Sequence, residues 1–167
     1  MNQGKQGTIC PDEAARVWRL LASTEARLLR QIDKEISGSG LVALEWFEVL
    51  AALESSPGKR LRLGDLADAA SLSCSGLTRL VDRLEAAGFV ERATDGVDRR
   101  VTWAVLTALG RQAHAAALPA YLEGVTRVFA SNLTTDELTA LRDILEKLHE
   151  GAKPTRTPCA EAYVPVK

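Results

Sequence analysis

Val17, Trp18, Leu20, Leu21, Leu28, Leu29, Ile32 and Ile36 recur at three- and four-residue steps, the spacing of one apolar helix face. Pro11 followed by Asp12 and Glu13 is a helix-start signature, and Gly38-Ser39-Gly40 is a breaker. The interval predicts a helix of about 26 residues, long for a small domain. A second helix is expected from Leu41 to Leu53, around Trp46, Phe47, Val49 and Leu50, ending before Ser55-Ser56-Pro57-Gly58.

Two shorter helical patterns come next. Leu63–Ala70 turns Leu66 and Ala67 inward, and Cys74–Ala87 places Leu77, Leu80, Val81 and Leu84 on one face. Ser73 is positioned to cap the second of these, and Gly88 to end it in a left-handed conformation. Phe89, Val90 and Glu91 then begin an extended segment, Thr94-Asp95-Gly96-Val97-Asp98 has turn chemistry, and Val101, Trp103 and Val105 alternate as a returning strand. The order is helix, turn, helix, hairpin.

From Thr107 a helical pattern runs to about Phe129 with Pro119 inside it, which predicts a kink or two abutting helices. Thr134-Thr135-Asp136-Glu137 reads as a capping box, with Leu133 and Leu138 as its hydrophobic staple. It opens a last helix through Leu141, Ile144, Leu145 and Leu148 to Gly151. Residues 1–10 are expected to be a flexible N-terminus. Residues 151–167, proline-containing and poor in apolar positions, are expected to be a disordered tail. The fold class expected is mainly α with a small β-hairpin wing, in one domain over residues 11–150.

Composition sharpens this in three ways. With 46% apolar residues among 167, the chain has material for a real core. Cys10, Cys74 and Cys159 form no C-x-x-C pair and have no nearby histidine, which disfavours a zinc site or disulfide framework and fits reduced thiols in a cytoplasmic protein. There is no leader pattern, and no apolar run approaches the roughly 18 residues of a membrane span. His114 and His149 both sit in helical patterns, without G-x-S-x-G or H-E-x-x-H context, so neither catalysis nor a cofactor is expected.

A net charge of −1 supplies no global attraction to nucleic acid. Between Arg60 and Arg100 seven arginines are balanced by seven acids, so the segment is not a basic patch. Placement carries the argument instead. Opposite the apolar face of the second short helix lie Ser75, Gly76, Thr78, Arg79, Asp82 and Arg83, and Arg99 and Arg100 fall at the hairpin tip. A helix of this kind fits a major groove while the hairpin reaches the neighbouring minor groove, and small polar residues at its front permit close approach to bases and phosphates. Each arginine taken singly reads first as a solvated or salt-bridged surface residue, and it is their coincidence with the helix-turn-helix pattern that favours binding.

The segment LGDLADAASLSCSGLTRLVDRLEAAGFVERATDGVDRRVTWAVLTALG resembles the winged helix-turn-helix core of the MarR family of transcription regulators. The shared elements are Arg83-Leu84, Gly88-Phe89-Val90-Glu91-Arg92, Asp98-Arg99-Arg100 and Leu106-Thr107-Ala108-Leu109-Gly110. The likeness spans about residues 11–150, with the winged core at about 60–106 and dimerisation helices at about 11–37 and 107–150. It implies a sequence-specific, double-stranded DNA-binding repressor, with Ser73, Ser75, Gly76, Thr78, Arg79 and Arg83 in the reading helix. In the wing, Arg100 would enter the minor groove, oriented by Asp98, beside Arg99. Asp82 and Arg83 have an alternative role as bracing ion pairs between helix and wing.

Long terminal helices with apolar stripes call for a partner, and a twofold homodimer would present two recognition helices about 34 Å apart to a pseudopalindromic operator. Packing of these helices within one chain is the competing account. The resemblance further implies release by a small aromatic ligand bound between the dimerisation helices and the winged unit. Trp18, Trp46, Phe47, His114 and Tyr121 are candidates for such a pocket, although core packing is the plainer reading of the same residues. The position that carries a peroxide-sensing cysteine in one branch of the family corresponds to Val17, so redox sensing does not carry over. The alternative function is a helical protein-interaction module on a degenerate winged fold.

Overall fold

The computed structural model describes residues 10–37, 41–70, 72–94 and 101–152. Its elements in chain order are α1 (Pro11–Ser37), α2 (Leu44–Ser55), β1 (Arg60–Arg62), α3 (Leu63–Ala69), α4 (Cys74–Ala86), β2 (Val90–Thr94), β3 (Thr102–Leu106), α5 (Ala108–Val128) and α6 (Thr135–Gly151). The expected helices and the hairpin are all present. Two differences stand out. A short strand, β1, precedes α3 and makes the wing a three-stranded antiparallel sheet in the order β1-β3-β2. Helix α5 runs unbroken through Pro119, so the two-helix alternative is not what forms.

Two apolar clusters organise these elements. One fills the winged unit, with Val49, Leu50 and Leu53 of α2, Leu66 and Ala67 of α3, and Leu77, Leu80, Val81 and Leu84 of α4 meeting Val90, Ala104 and Leu106 of the sheet. The four α4 residues are the ones that share a face by spacing, and burying that face fixes which side of α4 looks outward. The second cluster, Ile32, Ile36, Leu44, Phe47 and Ala117, joins α2 to α1 and α5. Helix α2 therefore belongs to both cores and couples the winged unit to the long helices.

The junctions are set by local chemistry. Ser73 caps α4 by accepting a hydrogen bond from Gly76 N at 3.2 Å. At the other end Gly88 adopts φ +76°, with Gly88 N donating to the Glu85 carbonyl and Phe89 N to the Leu84 carbonyl, both at 2.9 Å. This is the Schellman arrangement, which turns the chain from α4 into β2. Thr107 caps α5 through Gly110 N at 3.0 Å, while its own hydroxyl donates back to the Gly88 carbonyl at 2.7 Å. Gly110 packs so tightly on the Phe89 carbonyl that an added Cβ would lie 2.1 Å from that oxygen. The L-T-x-x-G pattern is thus the lock between the end of α4, the wing and the first turn of α5. Thr134 and Glu137 form the capping box that opens α6.

Candidate nucleic-acid interface

Helix α4 presents Ser75, Arg79, Asp82 and Arg83 to solvent, with Gly76 and Thr78 half-buried beside them. Ser73 and Ser75 lie together at its N-terminus, their hydroxyl oxygens 3.4 Å apart. A Cβ on Gly76 would come within 3.1 Å of Ser73 Oγ, so this turn stays compact because position 76 lacks a side chain. Among the described residues Arg79 has no ion-pair partner, which leaves its charge available to an incoming phosphate or base edge.

The two bracing candidates part ways. Asp82 does tie the helix to the wing: its carboxylate accepts from Arg92 of β2, Nη2 to Oδ1, at 2.6 Å. Arg92 also pairs with Glu85, whose other oxygen accepts from Arg92 N at 3.2 Å, and its Nη2 reaches the Thr78 carbonyl at 3.4 Å. Arg83 turns the other way and pairs with Glu45 of α2 at 3.0 Å. Arg92 is the residue that sequence reasoning treated only as part of a motif. Register explains it: Arg92 lies opposite Ala104 on the inward face of the sheet, where a long cation beneath α4 finds two carboxylates one helical turn apart.

Asp98, Arg99 and Arg100 lie outside the described residues. Their supports are described: β2 and β3 pair from Val90↔Leu106 to Thr94↔Thr102, so the strands that carry the turn are in register up to its base.

The five aromatic and histidine candidates separate into three places. Phe47, buried, stacks on Tyr121 with ring centroids 4.4 Å apart and on His114 at 5.1 Å. Trp46 meets Phe89 edge-on at 5.8 Å, against the winged core. Trp18 stands on α1 with 68% of its surface exposed. A cavity of 540 Å³ opens elsewhere, where α1 and α2 meet the end of α3. Leu29, Leu44 and Leu72 form apolar wall, and Glu25, Asp33, Glu45, Glu48 and Arg30 supply its charge. Burial pushes the Glu48 carboxyl above its ordinary range. The Tyr121 hydroxyl is likewise raised, by burial and then by the nearby Glu48 charge.

A second ionic junction joins the winged unit to α5. Lys59 bonds Glu54 at 2.9 Å and Arg111 approaches the same carboxylate at 3.5 Å. The Lys59 hydrogen bond, helped by the charges of Lys59, Arg111 and His114, holds Glu54 below the usual carboxylate range against some burial.

Comparison with known proteins agrees with this geometry. The MarR family profile matches residues 40–101. The crystal structure of AbsC, a MarR family transcriptional regulator from Streptomyces coelicolor, is 30% identical, with 87% of this chain and 97% of that one covered and a TM-score of 0.74. The chain belongs to the MarR family. A second family member from that organism, Sco3205, solved in complex with DNA, is 25% identical over 94% of this chain and 98% of its own, with a TM-score of 0.77. The transcriptional repressor MprA of Escherichia coli is 28% identical over 138 residues, 83% of this chain and 77% of that protein. As a MarR family protein the chain is a DNA-binding transcriptional regulator with a winged helix fold, not an enzyme. DNA binding replaces the protein-interaction alternative. No described helix is long and apolar enough to cross a membrane.

Proposed function

We propose that this MarR family protein is a homodimeric repressor that reads a pseudopalindromic operator and is released by a small aromatic ligand. The observation that carries the reading is the outward face of α4, where Ser75 and Arg79 stand exposed beside a wing that Arg92 fixes to the same helix. Ser73, Ser75, Gly76 and Thr78 admit the DNA backbone closely, Arg79 supplies a bidentate donor, and Arg83 completes the face while bracing α2. Asp98, Arg99 and Arg100 extend the contact into the minor groove.

Dimerisation is favoured by the apolar surface that the long helices leave uncovered. Helix α6 has no buried residue, yet carries Leu138, Ile144, Leu145 and Leu148 at helical spacing. Val17, Trp18 and Leu20 of α1 and Leu118 and Leu122 of α5 are exposed as well. A stripe of this kind on three helices is more than a soluble monomer normally leaves in water, and a twofold partner covers it. The effector belongs in the 540 Å³ cavity, whose volume suits a small aromatic compound and whose position touches α1, α2 and the end of α3 at once. A ligand there would bias how the winged unit sits on the dimer helices. The E. coli relative's role as a repressor supports the sign of regulation.

The test is selection of bound fragments from genomic DNA, followed by sedimentation of the complex and a screen of aromatic compounds for release. Two protomers on an inverted repeat, freed by an aromatic compound, are expected. A monomer bound to an asymmetric site would overturn the dimeric reading.

A further inference from the structure

The edge strand β1 places two arginines on one face of the wing. Its register sets Arg60 opposite Val105, Leu61 opposite Ala104 and Arg62 opposite Trp103. Because strand side chains alternate, Leu61 and Ala104 point into the winged core while Arg60, Arg62 and Trp103 share the outer face. Both guanidinium groups sit over the Trp103 ring, 4.7 Å from its centroid for Arg60 and 5.3 Å for Arg62.

Their electrostatic setting differs from that of the neighbouring arginines. Arg83, Arg92 and Arg111 each satisfy a carboxylate. Arg60 and Arg62 are exposed, and among the described residues neither has an ion-pair partner. The ring attracts the cations through its quadrupole and restrains their long stems, but it leaves their charge uncancelled. Holding two like charges over one indole, with no carboxylate between them, creates a fixed site for an anion that bears more than one oxygen.

Position identifies the anion. Arg62 immediately precedes α3, the first helix of the helix-turn-helix, and Trp103 lies one residue from Thr102, where β3 begins. In helix-turn-helix proteins the first helix crosses the DNA backbone, and the proposed reading sends the wing into the adjacent groove. The patch therefore joins the two elements that flank the bound duplex. We infer that Arg60 and Arg62, held over Trp103, grip the phosphate backbone of the operator DNA beside the wing, extending the contact beyond recognition helix and wing tip. The inference rests on the proposed mode of DNA reading.

The test is the salt dependence of binding to a mixed-sequence, fluorescein-labelled duplex, which reports phosphate contacts without knowledge of the operator. Each phosphate contact adds about 0.9 to the slope of log K against log salt, so losing two shrinks the drop in affinity between about 50 and 200 mM salt by roughly tenfold. Arg60→Ala/Arg62→Ala is expected to show that reduction. Arg60→Gln/Arg62→Gln, which keeps polar stems over the indole and protects the fold, is expected to show it too. A steep slope in the unmodified protein that both variants retain, with folding intact by circular dichroism, would overturn the inference alone. Absence of salt-dependent binding in the unmodified protein would overturn it together with the DNA-reading mode.

Discussion

Replacing Gly110 with alanine inserts one methyl group where the first turn of α5 rests on the end of the wing. The new Cβ would stand 2.1 Å from the Phe89 carbonyl oxygen and 2.9 Å from both Phe89 C and Leu106 Cδ1. Such atoms rest at roughly 3.5 Å, so α5 must retreat by more than 1 Å from a backbone group that cannot rotate away. Overpacking of this kind costs about 1–3 kcal/mol. Retreat also stretches the bonds by which Thr107 holds the junction: its N–H to the Phe89 carbonyl at 3.1 Å and its hydroxyl to the Gly88 carbonyl at 2.7 Å. These are worth about 1 kcal/mol each. Against this, alanine gains at most about 1 kcal/mol in helix propensity. The net expectation is a loss of about 2–3 kcal/mol, or about 5–10 °C in Tm for a chain of this length.

The measurement is thermal unfolding by circular dichroism without DNA, at matched protein concentration because association raises the apparent Tm. Gly151→Ala is the matched control, since an added Cβ there meets nothing within 4 Å. It is expected to be neutral or slightly stabilising. A Gly110→Ala protein melting within a degree of the unmodified one would refute the account of the junction.

Arg92→Ala is expected to lower stability by about 1–2 kcal/mol in urea unfolding, because Asp82 and Glu85 lose their shared cation but are exposed enough for water to replace it partly. Its DNA affinity should fall as well, since the wing loses its tie to α4. Arg79→Ala and Arg100→Ala should each weaken operator binding by about 1–3 kcal/mol with the fold and oligomeric state intact; only Arg79→Ala should also change sequence preference, and equal affinity in titration would remove the residue from the interface. Glu48, raised by burial, binds its proton more tightly folded than unfolded, so its contribution favours folding at acid pH and declines as pH rises from the unfolded towards the folded pKa. Glu48→Gln should therefore raise Tm at neutral and mildly alkaline pH and flatten that decline; an unchanged pH profile would count against a desolvated carboxylate.

Periodicity and punctuation by themselves determined the helices, the hairpin and the face on which α4 is buried. Leu77, Leu80, Val81 and Leu84 can share only one side of a helix, and Ser73 and Gly88 act on backbone groups within a few residues. Their physics is local, and local physics is legible in order along the chain. Tertiary structure alone decided the rest. Strand β1 has three residues, too few for alternation to register, and exists because β3 offers it an edge. Pro119 reads as an interruption, yet α5 continues through it, packed along α1. The same distinction governs charge. Sequence places seven arginines among seven acids from Arg60 to Arg100 and predicts no patch. Folding sends Arg92 and Arg83 to carboxylates on other elements and leaves Arg79, Arg60 and Arg62 without one among the described residues, because ion pairing depends on distance in space rather than on counts along the chain.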